Sequence, residues 1–381
     1  MKYPPTVRAA PALCAALLLA AAAMGGPPAA RALETDLGEE GNKAVSDTFA
    51  AYKTANPSGA CSALGAGKRV IVTGYGLFAG RNYNISGEVV SAMADNDFWP
   101  GQYKYFQTAR AAKKYVYSPR MNPQAFSNGA IVSTRKMVLN GEDYNVCFMV
   151  LDVTWDLAAG ILIYETSRFK PEMIMMTGGG APQATFEGAA VNSASNGEGY
   201  KSSGEKNYGN RPESNWLLED YPAGKEIKTT WNGAALAAAT AKTISYLGYI
   251  VSGPAAQSPN NDYLCNNITF LALHATQYEL PTRLAGNRTT GYKISLPAPR
   301  LPKKPIVGFF HFPDVPSRYP DLAGYGSGIF WWVNVLATAV QTALGTPAQS
   351  VSAASPVSAA VQAQPNAADT QALSRIQNSS F

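Results

Sequence analysis

Residues 144–151 read Tyr-Asn-Val-Cys-Phe-Met-Val-Leu, a mostly apolar run with the length of one buried strand. A helical stretch follows from about Leu157 to Phe169, and a second apolar run, Met173 to Met176, leads into three consecutive glycines. Strand, helix and strand in this order are typical of a βαβ unit, whose two strands lie parallel. The sequence therefore predicts an α/β fold with a largely parallel sheet.

Further elements are predicted on both sides of this unit. Residues 70–72, Val-Ile-Val, form a compact run closed by Gly74, and a helix predicted over Asn232 to Leu247 precedes another apolar run at 249–251. The segment from Ser91 to Tyr144 is rich in aromatic and basic residues, which can stack on nucleic-acid bases but more often form a surface excursion. With 46% hydrophobic residues in a chain of 381, a core of enzyme size is expected.

The N-terminus has the order of a secretory signal. Lys2 and Arg8 precede an apolar run at 12–20, and small residues and prolines follow up to Ala32. A membrane anchor is the alternative interpretation, but the run is short for a bilayer span. We therefore expect residues 1–32 to be a signal peptide, the rest to be exported to the periplasm or the extracellular space, and no stable membrane anchor.

Charge and cysteine content narrow the function classes. Removing residues 1–32 takes away three basic residues and no acids, so the formal charge falls by three, from +5 to +2, and no nucleic-acid partner is expected. Cys61, Cys147 and Cys265 remain, and one disulfide in an oxidising compartment leaves one thiol over. Cys61 with Cys147 is the expected pair. The two histidines show no clustered spacing with cysteine, so no metal site is expected.

Three residues are candidates for chemistry. Cys265 precedes an apolar run at 268–273 and follows a predicted strand, so it lies where a helix N-terminus favours the thiolate. His311 ends an otherwise apolar strand-like run, where a base can be presented at the edge of a sheet. Glu187 begins a predicted helix of small residues. Each has an ordinary alternative: a buried core cysteine, a core histidine, and an acid favoured by the helix dipole.

Four segments resemble the pyroglutamyl-peptidase I (pyrrolidone-carboxylate peptidase) family of cysteine peptidases. Residues 70–80 with Asn84-Ile85-Ser86 are similar to that family's strand followed by T-G-F-x-P-F-G and N-P-S. The other matches are Glu187 with Asn192 to E-x-x-A-x-N, Tyr263 to Asn266 with Leu273-His274 to Y-x-C-N and L-H, and residues 308–313 to G-F-I-H-V-P. The resemblance covers about Arg69 to Leu344 and is specific as a set.

This resemblance implies a three-layer α/β/α sandwich with a mixed, largely parallel sheet, of the phosphorylase/hydrolase-like type. It also implies a cofactor-free thiol protease that removes an N-terminal pyroglutamyl residue from peptides. Carried over by position, Cys265 would attack the pyroglutamyl carbonyl, His311 would take and return the proton, and Glu187 would orient the imidazole. Backbone N–H groups at Cys265 would supply part of the oxyanion site.

The resemblance further implies a pocket for the lactam ring. Its walls would be Tyr75, Phe78 and Leu264, whereas His274 would be structural. Tyr75 stands where the family has phenylalanine, and its hydroxyl either reaches a polar partner or makes the pocket less apolar. Residues 193–199 replace the family's A-R-I-P-D-N run, so an arginine near the site is missing.

The chain therefore divides, after the signal, into a lead-in at 33–66, a catalytic domain at 67–344 and a flexible low-complexity tail at 345–381. Insertions are expected at about 91–140 and 278–304. The first function is the hydrolysis of peptides with N-terminal pyroglutamate. The alternatives are an exported thiol hydrolase of the same fold acting on another acyl or lactam group, and a non-catalytic binding homologue. The sequence leaves a homo-oligomer open.

Overall fold

The structure is a computed structural model that describes residues 28–76, 84–94, 128–139, 141–181, 184–194, 199–200, 206–207, 217–218, 221–244, 251–255, 263–279, 282–283, 294–313 and 322–345. The helices in these ranges are α1 (Pro28–Ala55), α2 (Ile85–Ala94), α3 (Leu157–Phe169), α4 (Gly233–Ile244), α5 (Leu264–Gln277) and α6 (Leu322–Ala343). None of them is long and apolar enough to cross a membrane.

The strands are, in chain order, β1 (Lys68–Tyr75), β2 (Ala130–Leu139), β3 (Glu142–Leu151), β4 (Met173–Ala181), β5 (Ala184–Glu187), β6 (Ala189–Val191), β7 (Gly199–Tyr200), β8 (Lys206–Asn207), β9 (Glu226–Lys228), β10 (Val251–Ala255), β11 (Thr282–Arg283), β12 (Ser295–Leu296) and β13 (Ile306–Pro313). The main sheet has the order β10-β5-β13-β4-β1-β3-β2. In it β2 is antiparallel to β3 and β5 is antiparallel to β13, while the other neighbours are parallel. The predicted mixed, largely parallel sheet is confirmed.

Both faces of this sheet are buried under helices. Val70 and Val72 of β1 contribute to one core and Ile71 between them contributes to the other, because successive side chains of a strand point to opposite faces. We call the face of Val70 the first face, which α2, α4 and α6 cover, and the face of Ile71 the second face, which α1, α3 and α5 cover. A strand buried on both faces has a continuous apolar sequence, which is why residues 70–72 and 144–151 were readable as strands.

One feature differs from the predictions made from local sequence. The helix predicted to begin at Glu187 is wrong, because Glu187 ends β5 and residues 189–191 form β6. Alanine and glycine have no strong preference for a strand, and pairing with β10, β13 and β9 determines their conformation. In addition, the segment predicted as the first insertion contains β2, an edge strand of the main sheet. Residues 1–27 of the predicted signal and residues 346–381 of the predicted tail lie outside the described residues.

The N-terminal part of the described chain is fixed to the second face. A disulfide joins Cys61 to Cys147 of β3, which confirms the expected pair and leaves Cys265 as the free cysteine among the described residues. Beside it, the buried carboxylate of Glu165 accepts hydrogen bonds from the Tyr52 hydroxyl and from the amides of Ala60 and Cys61, each at 2.9 Å. These contacts hold the segment between α1 and β1 against α3.

Candidate active site

The three candidate residues meet on the second face of the sheet. Phe186 and Phe310 belong to the core of the first face, so their chain neighbours Glu187 and His311 point to the second face. Helix α5 covers that face and carries Cys265 as its second residue. The alternation of side chains along β5 and β13 therefore places the carboxylate and the imidazole beneath the helix that carries the thiol.

Strand register brings Glu187 to His311. In the antiparallel pair β5 and β13, Thr185 lies opposite His311, so Glu187 is the diagonal neighbour two residues along the same face. The carboxylate Oε1 of Glu187 lies 2.6 Å from Nδ1 of His311, and both side chains are almost fully buried. A contact this short fixes the orientation of the imidazole ring.

The backbone of Glu187 is itself held in place. Its carbonyl oxygen accepts hydrogen bonds from the indole Nε1 of Trp231 at 2.8 Å and from the hydroxyl of Thr229 at 2.9 Å. The indole lies against Gly308 of β13, where a Cβ atom would stand 2.1 Å from the ring. Glycine at position 308 therefore allows Trp231 to reach the strand that ends in the carboxylate.

Cys265 lies in the first turn of α5, so its predicted position at the beginning of a helix is confirmed. The helix starts after Tyr263, whose backbone is extended, and no side chain caps the first turn at that residue. The first N–H groups of a helix have no partner within the helix and carry a partial positive charge, which favours a thiolate. The same N–H groups are the donors that an oxyanion would need.

Asn266 fixes the beginning of α5 to the segment that follows Glu187. Its side-chain Nδ2 donates to the carbonyls of Val191 at 2.8 Å and Ser193 at 3.0 Å, and its Oδ1 accepts from the amide of Val191 at 2.9 Å. The residue after the thiol is thus bonded to β6, which begins two residues after the carboxylate. This contact couples the position of the helix to that of the strand.

The charge state of the site follows from these contacts. Burial alone lowers the pKa of His311, but the negative charge of Cys265, the hydrogen bond to its sulfur, and the hydrogen bond and charge of Glu187 outweigh burial and raise this pKa to about 10. Because Nδ1 faces Glu187, Nε2 is the ring nitrogen that is left to hydrogen-bond to the sulfur. The imidazole therefore lies between the sulfur of Cys265 and the carboxylate of Glu187, and these two partners favour its charged form.

Gly178 of β4 provides the space for the sulfur. Gly178 lies beside His311 in the parallel pair β4 and β13. A Cβ atom at this position would stand 2.7 Å from the sulfur of Cys265 and 2.8 Å from Cζ of Phe309, both closer than van der Waals contact. Any side chain here would displace the thiol or the ring of Phe309.

We expect Gly178→Ala to lower the rate of a thiol-dependent reaction by about 100-fold, because a displacement of the order of 1 Å at a reacting atom has that effect. The fold should persist, since Gly178 has no positive φ. The measurements are the alkylation rate of Cys265 and the substrate turnover of Gly178→Ala, each compared with the same quantity in Gly179→Ala. At that neighbouring glycine a Cβ atom would meet Cγ2 of Ile85 at 3.3 Å and Oδ1 of Asn84 at 4.0 Å, and not the sulfur. Equal rates in the two variants would contradict the role given to Gly178.

The predicted pocket residues have different positions. Tyr75 ends β1 and Leu264 begins α5, and both side chains are buried in the core of the second face. The hydroxyl of Tyr75 donates to the carbonyl of Leu264 at 3.1 Å, so it reaches a polar partner, the first of the two alternatives given above. Phe78 lies outside the described residues. That these three residues bind a lactam stays a prediction.

His274, the other histidine, lies farther along α5 and is buried among aromatic rings. Its ring contacts those of Phe270, Tyr221 and Tyr278 at centroid distances of 6.4, 5.7 and 5.8 Å. It is not part of the cluster around His311. In the described ranges no group of three or more His, Cys, Asp or Glu side chains is arranged to hold a metal ion.

Sequence reasoning missed two residues that shape the site. Gly178 was visible as part of the glycine run after Met176, but the run predicted only the end of a strand and not the approach of the thiol. Trp231 gave no signal, because its partner Glu187 lies 44 residues earlier in the chain. Contacts of this kind depend on tertiary packing and leave no local pattern.

The fold and the site together define an α/β/α protein with a cysteine, a histidine and a glutamate in contact on one face of its sheet. Among solved structures, the chain is similar to a pyrrolidone carboxyl peptidase from the hyperthermophile Pyrococcus furiosus, with 18% identity over 73% of this chain and 98% of that one, at a TM-score of 0.41. It is also similar to pyroglutamyl peptidase I from Bacillus amyloliquefaciens, with 16% identity over 73% of this chain and 95% of that one, at a TM-score of 0.41. No family model matches the chain, and a search of curated proteins found no match.

Proposed function

We propose that this protein is an exported cysteine-type exopeptidase that hydrolyses the amide bond after an N-terminal pyroglutamyl residue. The observation that supports this most is the contact of His311 with both Glu187 and Cys265. A thiol at a helix N-terminus, bonded to a histidine that a carboxylate orients, is the arrangement that nucleophilic catalysis requires. The sequence motifs around these residues support the pyroglutamyl substrate.

The proposed reaction proceeds in two steps. The Cys265 sulfur attacks the carbonyl carbon of the pyroglutamyl residue, a C–S bond forms, and the amine of the next residue leaves with a proton from His311. Water then attacks the thioester and gives its proton to His311, and pyroglutamate leaves as Cys265 returns to the thiolate. Glu187 stabilises the charged imidazole and keeps Nε2 directed at the sulfur.

The high pKa of His311 is compatible with its role as an acid. An imidazolium that persists above neutral pH can protonate the leaving amine, whereas a neutral ring could not. Backbone N–H groups in the first turn of α5 are the proposed donors to the oxyanion of each tetrahedral intermediate. This part of the reaction needs no metal ion or cofactor.

The direct test uses two fluorogenic amides of the same amine, one pyroglutamyl and one prolyl, which have the same ring size but differ in the lactam carbonyl and in the charge of the ring nitrogen. We expect the pyroglutamyl amide to be cleaved faster by roughly 10³-fold or more, because a site that binds a polar group rejects an analogue without it. Treatment with iodoacetamide should abolish the cleavage. No cleavage of the pyroglutamyl amide by a protein whose Cys265 is rapidly alkylated would contradict the substrate and favour the alternative hydrolase.

That alternative, a thiol hydrolase acting on another acyl or lactam group, rests on two departures near the site. Tyr75 brings a hydroxyl where the resembled family has a phenyl ring, and residues 193–199 lack the arginine of that family. Both change what surrounds the substrate and neither changes the cysteine, histidine or glutamate. A slow, unreactive thiol at Cys265 would instead favour a non-catalytic binding protein.

A further inference from the structure

The hydroxyl of Tyr75 connects the end of the central strand β1 to the beginning of the helix that carries the thiol. It donates to the carbonyl of Leu264, the residue that immediately precedes Cys265 in the chain, at 3.1 Å. Tyr75 is 4% exposed and Leu264 is 2% exposed, so water does not compete for this hydrogen bond. The two residues are 189 positions apart, and the bond is therefore a tertiary contact made at the site.

The strand end that carries Tyr75 is held by a short network. The amide of Tyr75 donates to the hydroxyl of Ser86 at 3.0 Å, and that hydroxyl donates to Oδ1 of Asn84 at 2.8 Å. Nδ2 of Asn84 in turn donates to the carbonyl of Gly76 at 2.7 Å. These hydrogen bonds restrain the backbone of Tyr75. The phenol therefore has a fixed position, and its hydrogen bond to Leu264 restrains that residue as well.

The phenol also lies within electrostatic reach of the thiol. Burial, and after it the negative charges of Cys265 and Tyr263, raise the pKa of Tyr75 well above its usual range. The hydroxyl consequently keeps its proton and remains a donor over the whole working range of a thiol enzyme. A phenylalanine at this position would keep the ring in the core but would have no hydrogen-bond donor for the carbonyl of Leu264.

We propose that Tyr75 is a positioning residue for Cys265: its hydroxyl fixes the first residue of α5, so that the sulfur stays in the space beside Gly178 and in line with His311. This inference rests on the proposed function only in that the thiol is the reacting group. The position of the sulfur is critical because the space beside Gly178 is narrow: a Cβ atom at that residue would be 2.7 Å from the sulfur. Movement of the helix start away from that place takes the sulfur out of contact with His311.

The test compares Tyr75→Phe with Tyr164→Phe. Tyr164 is a matched control, because its buried phenol also donates to a backbone carbonyl, that of Asn56 at 2.6 Å, on the side of α3 that faces α1. Each variant loses one hydroxyl and keeps its ring. The measurements are the alkylation rate of Cys265 by iodoacetamide at neutral pH, kcat and KM on the pyroglutamyl amide, and the thermal midpoint.

We expect Tyr75→Phe to slow alkylation and to lower kcat by about tenfold each, with KM changed less than about twofold, as for the loss of one hydrogen bond that acts on the reacting group. Tyr164→Phe should leave the alkylation rate and kcat unchanged, even if both variants melt at a lower temperature. Equal alkylation rates in wild type, Tyr75→Phe and Tyr164→Phe would overturn the inference, because a merely structural hydroxyl affects only the melting temperature.

Two further results separate this inference from the proposed function. If wild type does not cleave the pyroglutamyl amide but Tyr75→Phe is still alkylated about tenfold more slowly, the substrate is wrong and the positioning role stands. If Tyr75→Phe does not fold, Ser86→Ala replaces it, since it keeps the phenol and removes the acceptor of the Tyr75 amide. A smaller slowing of alkylation, of about threefold, is then expected, and an unchanged rate would overturn the inference.

Discussion

Replacing Cys265 by alanine is expected to abolish turnover of the pyroglutamyl amide, by about 10⁴-fold or more, since removal of a nucleophile has effects of that size in other hydrolases. The helix should remain in place, because Asn266 holds its first turn through three hydrogen bonds that the substitution does not touch. The measurement is kcat/KM of Cys265→Ala against wild type, with circular dichroism to verify the fold.

The same variant gives a second readout that does not depend on the substrate. The chain has two histidines, His274 and His311, so their ring signals can be separated in an NMR titration. The negative charge of Cys265 helps to raise the pKa of His311, and its removal should lower that pKa, while His274 serves as the internal reference. An unchanged pKa would show that the sulfur and the imidazole do not interact.

A matched control for Cys265→Ala lies on the same helix. Thr276 is buried near the other end of α5 and its hydroxyl donates to the carbonyl of Ala272 at 2.7 Å. Thr276→Ala removes a small polar group from the helix without approaching the site, so its kcat should stay within about twofold of wild type. Turnover by Cys265→Ala above one tenth of the wild-type rate would refute the assignment of the nucleophile.

Much of the fold could be predicted because its central strands are buried on both faces. Residues 70–72 and 144–151 form continuous apolar runs, and helices α3 and α4 were predicted close to their observed bounds. The end of β5 could not be predicted in this way. Residues 184–191 consist mostly of small side chains, whose local preferences are weak, and only their neighbours β10, β13 and β9 determine that they are strands.

For the site, the sequence predicted which residues take part but not how they are arranged. The three residues were found from their motifs, but no sequence pattern contains the register that makes Glu187 the diagonal neighbour of His311. Nor does any pattern contain the space at Gly178 or the hydrogen bond from Tyr75 to the helix. These depend on distances between segments about 100 or more residues apart, which tertiary packing determines.

Replacing Glu187 by glutamine is expected to lower kcat by about 10² to 10⁴-fold, because the amide keeps the shape of the carboxylate but not its charge, and it can hold the wrong imidazole tautomer. The substitution should also change the pH profile. Burial lowers the pKa of His311, and the charges of Cys265 and Glu187 raise it to about 10 in total. Without the Glu187 charge this pKa must fall.

The direction of the change in the pH profile follows from the role of His311 as an acid. The imidazolium that protonates the leaving amine exists below the pKa of His311 and is lost above it. In wild type the alkaline decline of the rate should therefore lie well above the usual histidine range. In Glu187→Gln this decline should begin at lower pH, which is measured as kcat against pH from about 5 to 11 and compared with the NMR titration of His311.

Glu165→Gln is the control that separates charge at the site from the loss of any buried carboxylate. Glu165 is as buried as Glu187, but it accepts hydrogen bonds from Tyr52, Ala60 and Cys61 beside the disulfide. Its replacement should lower the free energy of unfolding by about 1 to 3 kcal/mol, as for a buried group left partly unsatisfied, and leave the alkaline limb unmoved. If instead the alkaline limb of Glu187→Gln coincides with that of wild type and of Glu165→Gln, the carboxylate does not act on His311, and the cysteine and histidine would have to work as a pair.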